Sequence, residues 1–130
     1  MLSINDFNHL KLLYEQFFKM NNHIKKLILE GDWESVDYAV QDKEALQQKI
    51  LSFEKPRLKD IKLNPELLKF RKNLIELEKE NIELVKKLKN ETLSEIHQVK
   101  KMKKVLNAYE PALSNVVSTF QVEDTDDIEE

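Results

Sequence analysis

The sequence predicts an all-α protein, an antiparallel helical bundle of three long helices with a short fourth helix near the C-terminal end. The 130-residue chain has one glycine and three prolines, too few for the tight turns of a β-sheet. From Pro65 to Tyr109, apolar residues recur every three or four positions, which is the spacing of one helical face. Charged residues make up 35% and apolar residues 41% of the chain, a balance typical of amphipathic helices.

The first helix is predicted to begin near Ser3 or Asn5, both favourable N-cap residues, and to end at Gly31, which suits the C′ position. Its apolar stripe is wide enough to face two neighbouring helices. Asn21 lies inside this stripe, where a polar residue more often fixes the register of packing than performs chemistry. The stripe consists of Phe7, Leu10, Leu13, Tyr14, Phe17, Met20, Ile24, Leu27 and Ile28.

A second helix follows almost directly, with Asp32 as its expected N-cap. Pro56 is expected to end it near Glu54, because proline cannot donate the next backbone hydrogen bond. The loop at Gly31 and Asp32 is so short that the two helices should be antiparallel neighbours. The expected buried residues are Trp33, Val36, Ala39, Val40, Leu46, Ile50 and Phe53, followed by Leu58, Ile61 and Leu63 in a linker at 55–64.

The third helix opens at Asn64-Pro65-Glu66, a cap followed by proline and an acid. An unbroken helix to Tyr109 would measure roughly 68 Å, longer than either preceding helix can cover. Residues 89–95 are polar, and the apolar stripe changes phase across them. Two alternatives follow: a continuous or gently bent helix with a stutter, or a break near Thr92 and a separate helix from about Leu93 to Tyr109.

Pro111 separates this stretch from a last apolar face, which predicts a short final helix. That face consists of Leu113, Val116, Val117 and Phe120. Residues 123–130 carry six acids in eight positions and are expected to form a disordered tail. The chain is therefore expected to hold one helical domain at residues 1–122.

The sequence offers little for catalysis or metal binding. It has no cysteine, and a single glycine cannot build a glycine-rich phosphate loop. His9, His23 and His97 have no second ligand at a convincing spacing. A helical enzyme of the mutase kind would need several inward-facing arginines, and only Arg57 and Arg71 are present. We expect no enzymatic activity, no metal and no cofactor.

Charge and hydropathy argue against nucleic acid and membrane partners. The net charge is only −3, no apolar run approaches the ~18 residues of a membrane span, and no signal peptide is visible. We therefore expect a cytoplasmic protein. The acids Glu76, Glu78, Glu80 and Glu83 alternate with lysines and are expected to form a solvated face. A second charged surface, either solvated or directed at a protein partner, is expected at Lys86, Lys87, Lys89, Lys100, Lys101, Lys103 and Lys104.

The best candidate site is the apolar face near the C-terminus, because the first two helices are too short to cover it. Its residues are Ile96, Val99, Met102, Leu106 and Tyr109. Burial in a homodimeric coiled coil or in an intramolecular fold-back is one interpretation; binding of a partner helix in a groove is the other. Both hold if the segment with Leu113, Val116, Val117 and Phe120 covers the face and a ligand displaces it.

Two short segments resemble the FliT-type flagellar export chaperones. Glu30-Gly31-Asp32-Trp33-Glu34, placed before Lys43-Glu44-Ala45-Leu46, resembles the Gly-Asp/Glu-Trp turn that joins the first two helices in that family. Lys103-Lys104-Val105-Leu106-Asn107-Ala108-Tyr109 resembles the lysine-, leucine- and tyrosine-containing segment near the family's C-terminus. The FlgN-type chaperones, also small, helical and acidic, are the near alternative.

The resemblance implies a cytoplasmic, non-catalytic protein that binds the C-terminal part of the flagellar filament cap protein (FliD type). It would keep this client from assembling early and pass it to the type III export gate or to export ATPase components. The family's C-terminal helical segment, here about Ile96 to Phe120, can mask the binding surface. Leu106 and Tyr109 match that segment directly, whereas Leu113, Val116, Val117 and Phe120 match only in apolar character.

Overall fold

The structure, a computed structural model, describes residues 2–91, 100–111, 115–117 and 120. These residues form α1 (Ile4–Glu30), α2 (Trp33–Glu54), a 3₁₀ turn (Lys55–Arg57), α3 (Leu58–Lys62) and α4 (Pro65–Glu91). Residues 100–111, 115–117 and 120 are also helical, and we call these described residues together the C-terminal segment. The predicted all-α bundle is confirmed. Among the described residues, no helix is both long and apolar enough to cross a membrane.

Local signals fix the ends of α1 and α2 where the sequence predicts them. The Ser3 hydroxyl accepts a hydrogen bond from the backbone N–H of Asp6 at 3.1 Å, which caps α1. Gly31 ends α1 in the left-handed region, with a φ of 74°, which a residue without a Cβ adopts at no steric cost. Asp32 then caps α2 by accepting from the backbone N–H of Ser35 at 3.3 Å. The chain therefore turns back in two residues.

The linker at 55–64 is more ordered than a loop, since most of it belongs to the 3₁₀ turn and α3. Ile61 is buried as expected, but Leu63 is 81% exposed, so the prediction that it packs on the bundle is wrong. Leu63 follows the last residue of α3, where the chain turns toward the next cap. The Asn64 side chain accepts from the backbone N–H of Leu67 at 3.1 Å and starts α4.

The four long helical stretches form a bundle in which α1 packs against both α2 and α4. The C-terminal segment fills the remaining position between α2 and α4. Asn81 Nδ2 lies 3.2 Å from the Tyr109 hydroxyl, whereas a straight helix would separate these residues by roughly 42 Å. Residues 100–111 therefore lie beside α4 and not beyond its end, and the continuous-helix alternative is wrong. The proposed break near Thr92 itself lies outside the described residues.

Two apolar clusters make up the core. The first surrounds the loop between α1 and α2 and contains Ile24, Leu27, Ile28, Trp33, Val36, Val40, Ile82, Val85, Met102, Val105, Leu106 and Tyr109. The second contains Leu10, Leu13, Tyr14, Phe17, Ile50, Ile61, Leu67, Leu74, Ile75, Val116 and Phe120. On α4, Ile82 and Val85 are buried, whereas Leu84 and Leu88 are only partly buried. Both clusters include residues of the C-terminal segment, so the segment is an integral part of the core.

Candidate functional site

The C-terminal segment docks on the bundle through one apolar face. Met102, Val105, Leu106 and Tyr109 are between 0% and 6% exposed. Their spacing of three or four residues brings them to one side of the helix. That side packs against α1, α2 and α4 in the first core cluster. The three helices therefore form a groove that holds an amphipathic helix, and the chain's own segment fills it.

Ion pairs line both rims of this groove. On the α2 rim, Lys101 lies 3.3 Å from Glu34 and Lys104 lies 3.3 Å from Asp37. On the α4 rim, Lys86 lies 3.9 Å from Glu110. Three of the lysines for which a solvated or partner-facing surface was expected thus face acids of this chain across the rim.

A surface cleft opens where the C-terminal segment meets the start of α2. Trp33 and Val105 line its inner part, and Tyr38 lies at its edge with 69% of the residue exposed. The charged residues of the α2 rim complete the lining. The cleft therefore belongs to the rim of the groove and forms one continuous surface with it.

Below the C-terminal segment lies a buried polar layer between the two apolar clusters, to which all four helical stretches contribute. We call Asn21, Lys43, Glu78, Asn81 and Tyr109 the central polar layer. The Lys43 ammonium donates to Asn21 Oδ1 at 3.1 Å and to the Glu78 carboxylate. Asn81 Nδ2 donates to the Asn21 carbonyl at 3.0 Å and to the Tyr109 hydroxyl. Each of the five residues is 0% or 1% exposed.

Tyr109 also places its ring against the buried cation. The Lys43 ammonium lies 4.4 Å from the centre of the Tyr109 ring and 5.6 Å from that of Phe17. Contacts of this kind attract a cation to the negative face of the ring, and removal from water strengthens them. Tyr109 is therefore the residue through which the C-terminal segment contacts the Lys43–Glu78 pair.

Burial shifts the pKa values of both groups away from their usual ranges. It lowers the pKa of Lys43 below 10.5, and the neighbouring Glu78 carboxylate opposes this shift without cancelling it. Burial raises the pKa of Tyr109 well above 10.0, and the negative charge of Glu78 adds to that effect. Tyr109 is therefore a neutral phenol at any physiological pH.

A second polar layer lies farther from the α1–α2 loop and repeats the arrangement. We call Tyr14, Glu54, Arg71 and Phe120 the distal polar layer. The Tyr14 hydroxyl donates to the Glu54 carboxylate, which lies 3.7 Å from the Arg71 guanidinium. The carbon of that guanidinium lies 5.3 Å from the centre of the Phe120 ring. Phe120 also meets Tyr14 edge-on at 6.2 Å between ring centres. Each of the four helical stretches supplies one side chain to this layer, whereas α4 supplies two to the central polar layer.

The predicted binding face and its predicted cover can be followed in the structure through their described residues. Met102, Leu106 and Tyr109 face the bundle, while Ile96 and Val99 lie outside the described residues. Val116 and Phe120 are buried and Val117 is partly buried, all in the second core cluster. Leu113 is outside the described residues. Among the described residues, Met102, Leu106 and Tyr109 thus belong to the first core cluster, whereas the expected cover residues Val116, Val117 and Phe120 belong to the second.

Sequence reasoning missed several residues of this site. Glu78, assigned to a solvated face, is fully buried, and that prediction is wrong because Lys43 neutralises it from another helix. Arg71 is also inward-facing, paired with Glu54. A signal was present in the spacing: steps of three and four along the inner seam of α4 include polar as well as apolar residues. That seam reads Leu67, Arg71, Leu74, Glu78, Asn81 and Val85.

Within residues 2–91, 100–111, 115–117 and 120 the structure shows no cluster of metal ligands. No group of three or more histidines, aspartates or glutamates is placed there to hold a metal ion. The buried charges of these two layers are each paired with an opposite charge, Lys43 with Glu78 and Arg71 with Glu54. Comparison of the chain with known protein families, curated proteins and solved structures finds no match.

Proposed function

We propose that this protein is a secretion chaperone of the FliT type, which acts in the cytoplasm and binds a helix of the flagellar filament cap protein. In this proposal the partner helix takes the groove between α2 and α4 in place of the C-terminal segment. The chaperone then keeps its client from assembling early and passes it to the export gate or export ATPase. The turn around Gly31 and Trp33 and the segment around Leu106 and Tyr109 carry the resemblance to that family.

The observation that supports the proposal is that the groove already holds an amphipathic helix. Apolar side chains of the C-terminal segment fill its floor, and ion pairs close its rims. Burial of apolar area, worth roughly 25 cal/mol per Å², is the main force that would retain a partner helix there. Helix-in-groove binding uses the same spacing of anchor residues that Met102, Val105, Leu106 and Tyr109 display.

Tethering would make the C-terminal segment a strong competitor. A short linker gives such a segment an effective concentration on the order of millimolar at its own groove. A partner must therefore bind the open groove tightly enough to overcome this local competition. It follows that weakening the segment in cis should raise the apparent affinity for the partner, even though the altered residue belongs to the same chain.

The experiment compares two substitutions on the C-terminal segment. Leu106→Glu places a charge on the buried face, whereas Lys103→Glu changes an exposed position of the same helix and serves as the control. Binding of the C-terminal fragment of the filament cap protein is measured by titration calorimetry. We expect tighter binding for Leu106→Glu and wild-type binding for Lys103→Glu, with helix content preserved in both.

Two outcomes would overturn this proposal. If the cap-protein fragment binds neither wild type nor Leu106→Glu nor Lys103→Glu, the protein is not the chaperone of that client. Equal affinity for wild type and every charged substitution on the buried face of 100–120 would remove the groove as the site. Light scattering over a concentration series then tests the structural alternative, a homodimeric coiled coil, which predicts a tight dimer that forms without any client.

A further inference from the structure

The two polar layers share a feature that concerns the partner. Each contains a buried cation, and each cation faces an aromatic ring that the C-terminal segment supplies. Tyr109 lies over Lys43 at 4.4 Å, and Phe120 lies over Arg71 at 5.3 Å. Lys43 and Arg71 are each 1% exposed with the C-terminal segment in place, so a helix packed equally closely in the groove would also bury both cations. Any helix that takes the segment's place must meet the same two cations.

An aromatic residue suits these positions better than an aliphatic one of similar size. Glu78 holds Lys43 and Glu54 holds Arg71, so both positive charges stay in place when the segment leaves. A leucine would fill much of the space, but it has no negative π face to offer a desolvated cation. The floor of the groove can thus distinguish aromatic from aliphatic anchors at two places.

The distance between the two buried cations also restricts the sequence spacing of the aromatic residues on a partner helix. Tyr109 and Phe120 are eleven positions apart. On an α-helix, eleven residues complete about three turns, so side chains with this spacing project from nearly the same face. The cations belong to α2 and α4, and the packing of the bundle fixes their separation. Aromatic anchors with another spacing would miss one cation or turn away from it.

We infer that the groove selects, among amphipathic helices, a partner helix that carries aromatic residues at two positions eleven apart. This inference rests on the proposed function and adds the chemistry of the partner. Aliphatic residues are required three, four and seven positions before the first aromatic residue, as Leu106, Val105 and Met102 precede Tyr109. Tyrosine is favoured at the first position, because Asn81 Nδ2 lies 3.2 Å from the Tyr109 hydroxyl.

The acidic rim of α2 sets the direction of the partner helix. Glu34 and Asp37 face Lys101 and Lys104, which precede Tyr109 by eight and five positions. A partner helix with basic residues at those two positions meets the acids only when it runs in the same direction as the C-terminal segment. Such exposed ion pairs contribute little affinity, so they act on orientation.

The test uses peptides with the sequence of residues 100–120 as probes for the full-length Leu106→Glu protein, whose own segment is weakened. Fluorescence anisotropy compares the unaltered peptide with Tyr109→Leu, Phe120→Leu and, as a matched control at an exposed position, Lys103→Ala. We expect each leucine peptide to bind about fivefold to tenfold more weakly. The control should bind like the unaltered peptide. A peptide with Ala108 and Tyr109 exchanged should bind as weakly as Tyr109→Leu.

A change in the bundle links the effect to the cation. The recipient protein is also prepared with Lys43→Met and Glu78→Leu, which removes the cation that faces Tyr109. The affinities of the unaltered and Tyr109→Leu peptides for this recipient should lie within about twofold of each other, whereas the Phe120→Leu peptide should still bind more weakly. Equal binding of the unaltered, Tyr109→Leu and Phe120→Leu peptides to the original recipient would overturn the inference, as would no binding of the unaltered peptide. The proposed function fails separately, if the cap-protein fragment does not bind.

A second measurement applies if Leu106→Glu does not fold. In the otherwise unaltered chain, hydrogen exchange of residues 100–111 compares Tyr109→Phe, which keeps the ring, with Tyr109→Leu, which loses it. We expect exchange about fivefold faster in Tyr109→Leu than in Tyr109→Phe. Equal exchange in the two variants would mean that the cation does not distinguish an aromatic anchor from an aliphatic one, and the inference would fall.

Discussion

Removal of the Lys43 ammonium should destabilise the bundle far more than removal of a surface lysine. Lys43 and Glu78 are 1% and 0% exposed, so Lys43→Met leaves a carboxylate without its counter-ion inside the core. Breaking a buried pair in this way typically costs about 3–5 kcal/mol. Because native domains are stable by only about 5–15 kcal/mol, at least about a fifth of the stability would be lost.

The double variant Lys43→Met with Glu78→Leu should behave differently from Lys43→Met alone. It removes both charges and keeps comparable volume, so no uncompensated ion remains in the core. Replacement of a buried ion pair by apolar residues is often neutral, or stabilising by about 1–4 kcal/mol. The double variant should therefore be more stable than Lys43→Met alone, although Asn21 Oδ1 loses its donor in both variants.

Urea unfolding followed by circular dichroism measures these free energies, with Lys11→Met as the control. Lys11 forms an ion pair of 3.1 Å with Glu66, but the two side chains are 40% and 58% exposed. Such a pair contributes about 0–1 kcal/mol, so Lys11→Met should hardly move the midpoint. Equal losses for Lys43→Met and Lys11→Met, or a double variant as unstable as Lys43→Met, would refute the reasoning.

Two further predictions concern Tyr109 and the α1–α2 loop. Because burial and Glu78 raise the pKa of Tyr109, the folded protein keeps the phenolic proton above pH 10.0, where the unfolded chain loses it. The free energy of unfolding should therefore fall as the pH rises above 10.0, by up to about 1.4 kcal/mol per pH unit. Tyr109→Phe should lack this contribution when urea unfolding is measured at pH 9–11. The same pH dependence of stability in wild type and Tyr109→Phe would contradict the prediction. Gly31→Ala should cost about 1 kcal/mol, because φ is 74° although the space around the Cβ is open, and an unchanged thermal midpoint would argue against the left-handed cap.

Helix ends were predictable because they depend on neighbouring residues. Ser3, Gly31, Asp32 and Asn64 act within three or four positions of themselves, and the structure has each of them in the expected capping role. The burial of Asn21 within the stripe of α1 was predictable for the same reason. Capping residues and helical spacing can both be identified from the sequence alone, because neither depends on the tertiary arrangement.

The site was harder to predict because its residues are distant in sequence. Lys43 and Glu78 are separated by 35 positions, and each alone has the character of a surface residue. Burial becomes acceptable only when the partner charge arrives from another helix. The sequence between residues 91 and 100 contains no glycine or proline, so it left a continuous helix as an alternative. Polar residues at inner-seam positions of α4 are the signal that sequence reasoning could have used.

Binding of a partner helix requires that the C-terminal segment can leave the groove while the rest of the bundle stays folded. Native-state hydrogen exchange tests this most directly, by comparing amides of residues 100–111 with those of α1 around Ile24. We predict that the segment opens at least about 2 kcal/mol below global unfolding and that the cap-protein fragment makes its amides exchange faster. Exchange of both regions only through global unfolding, unchanged by the fragment, would contradict the account.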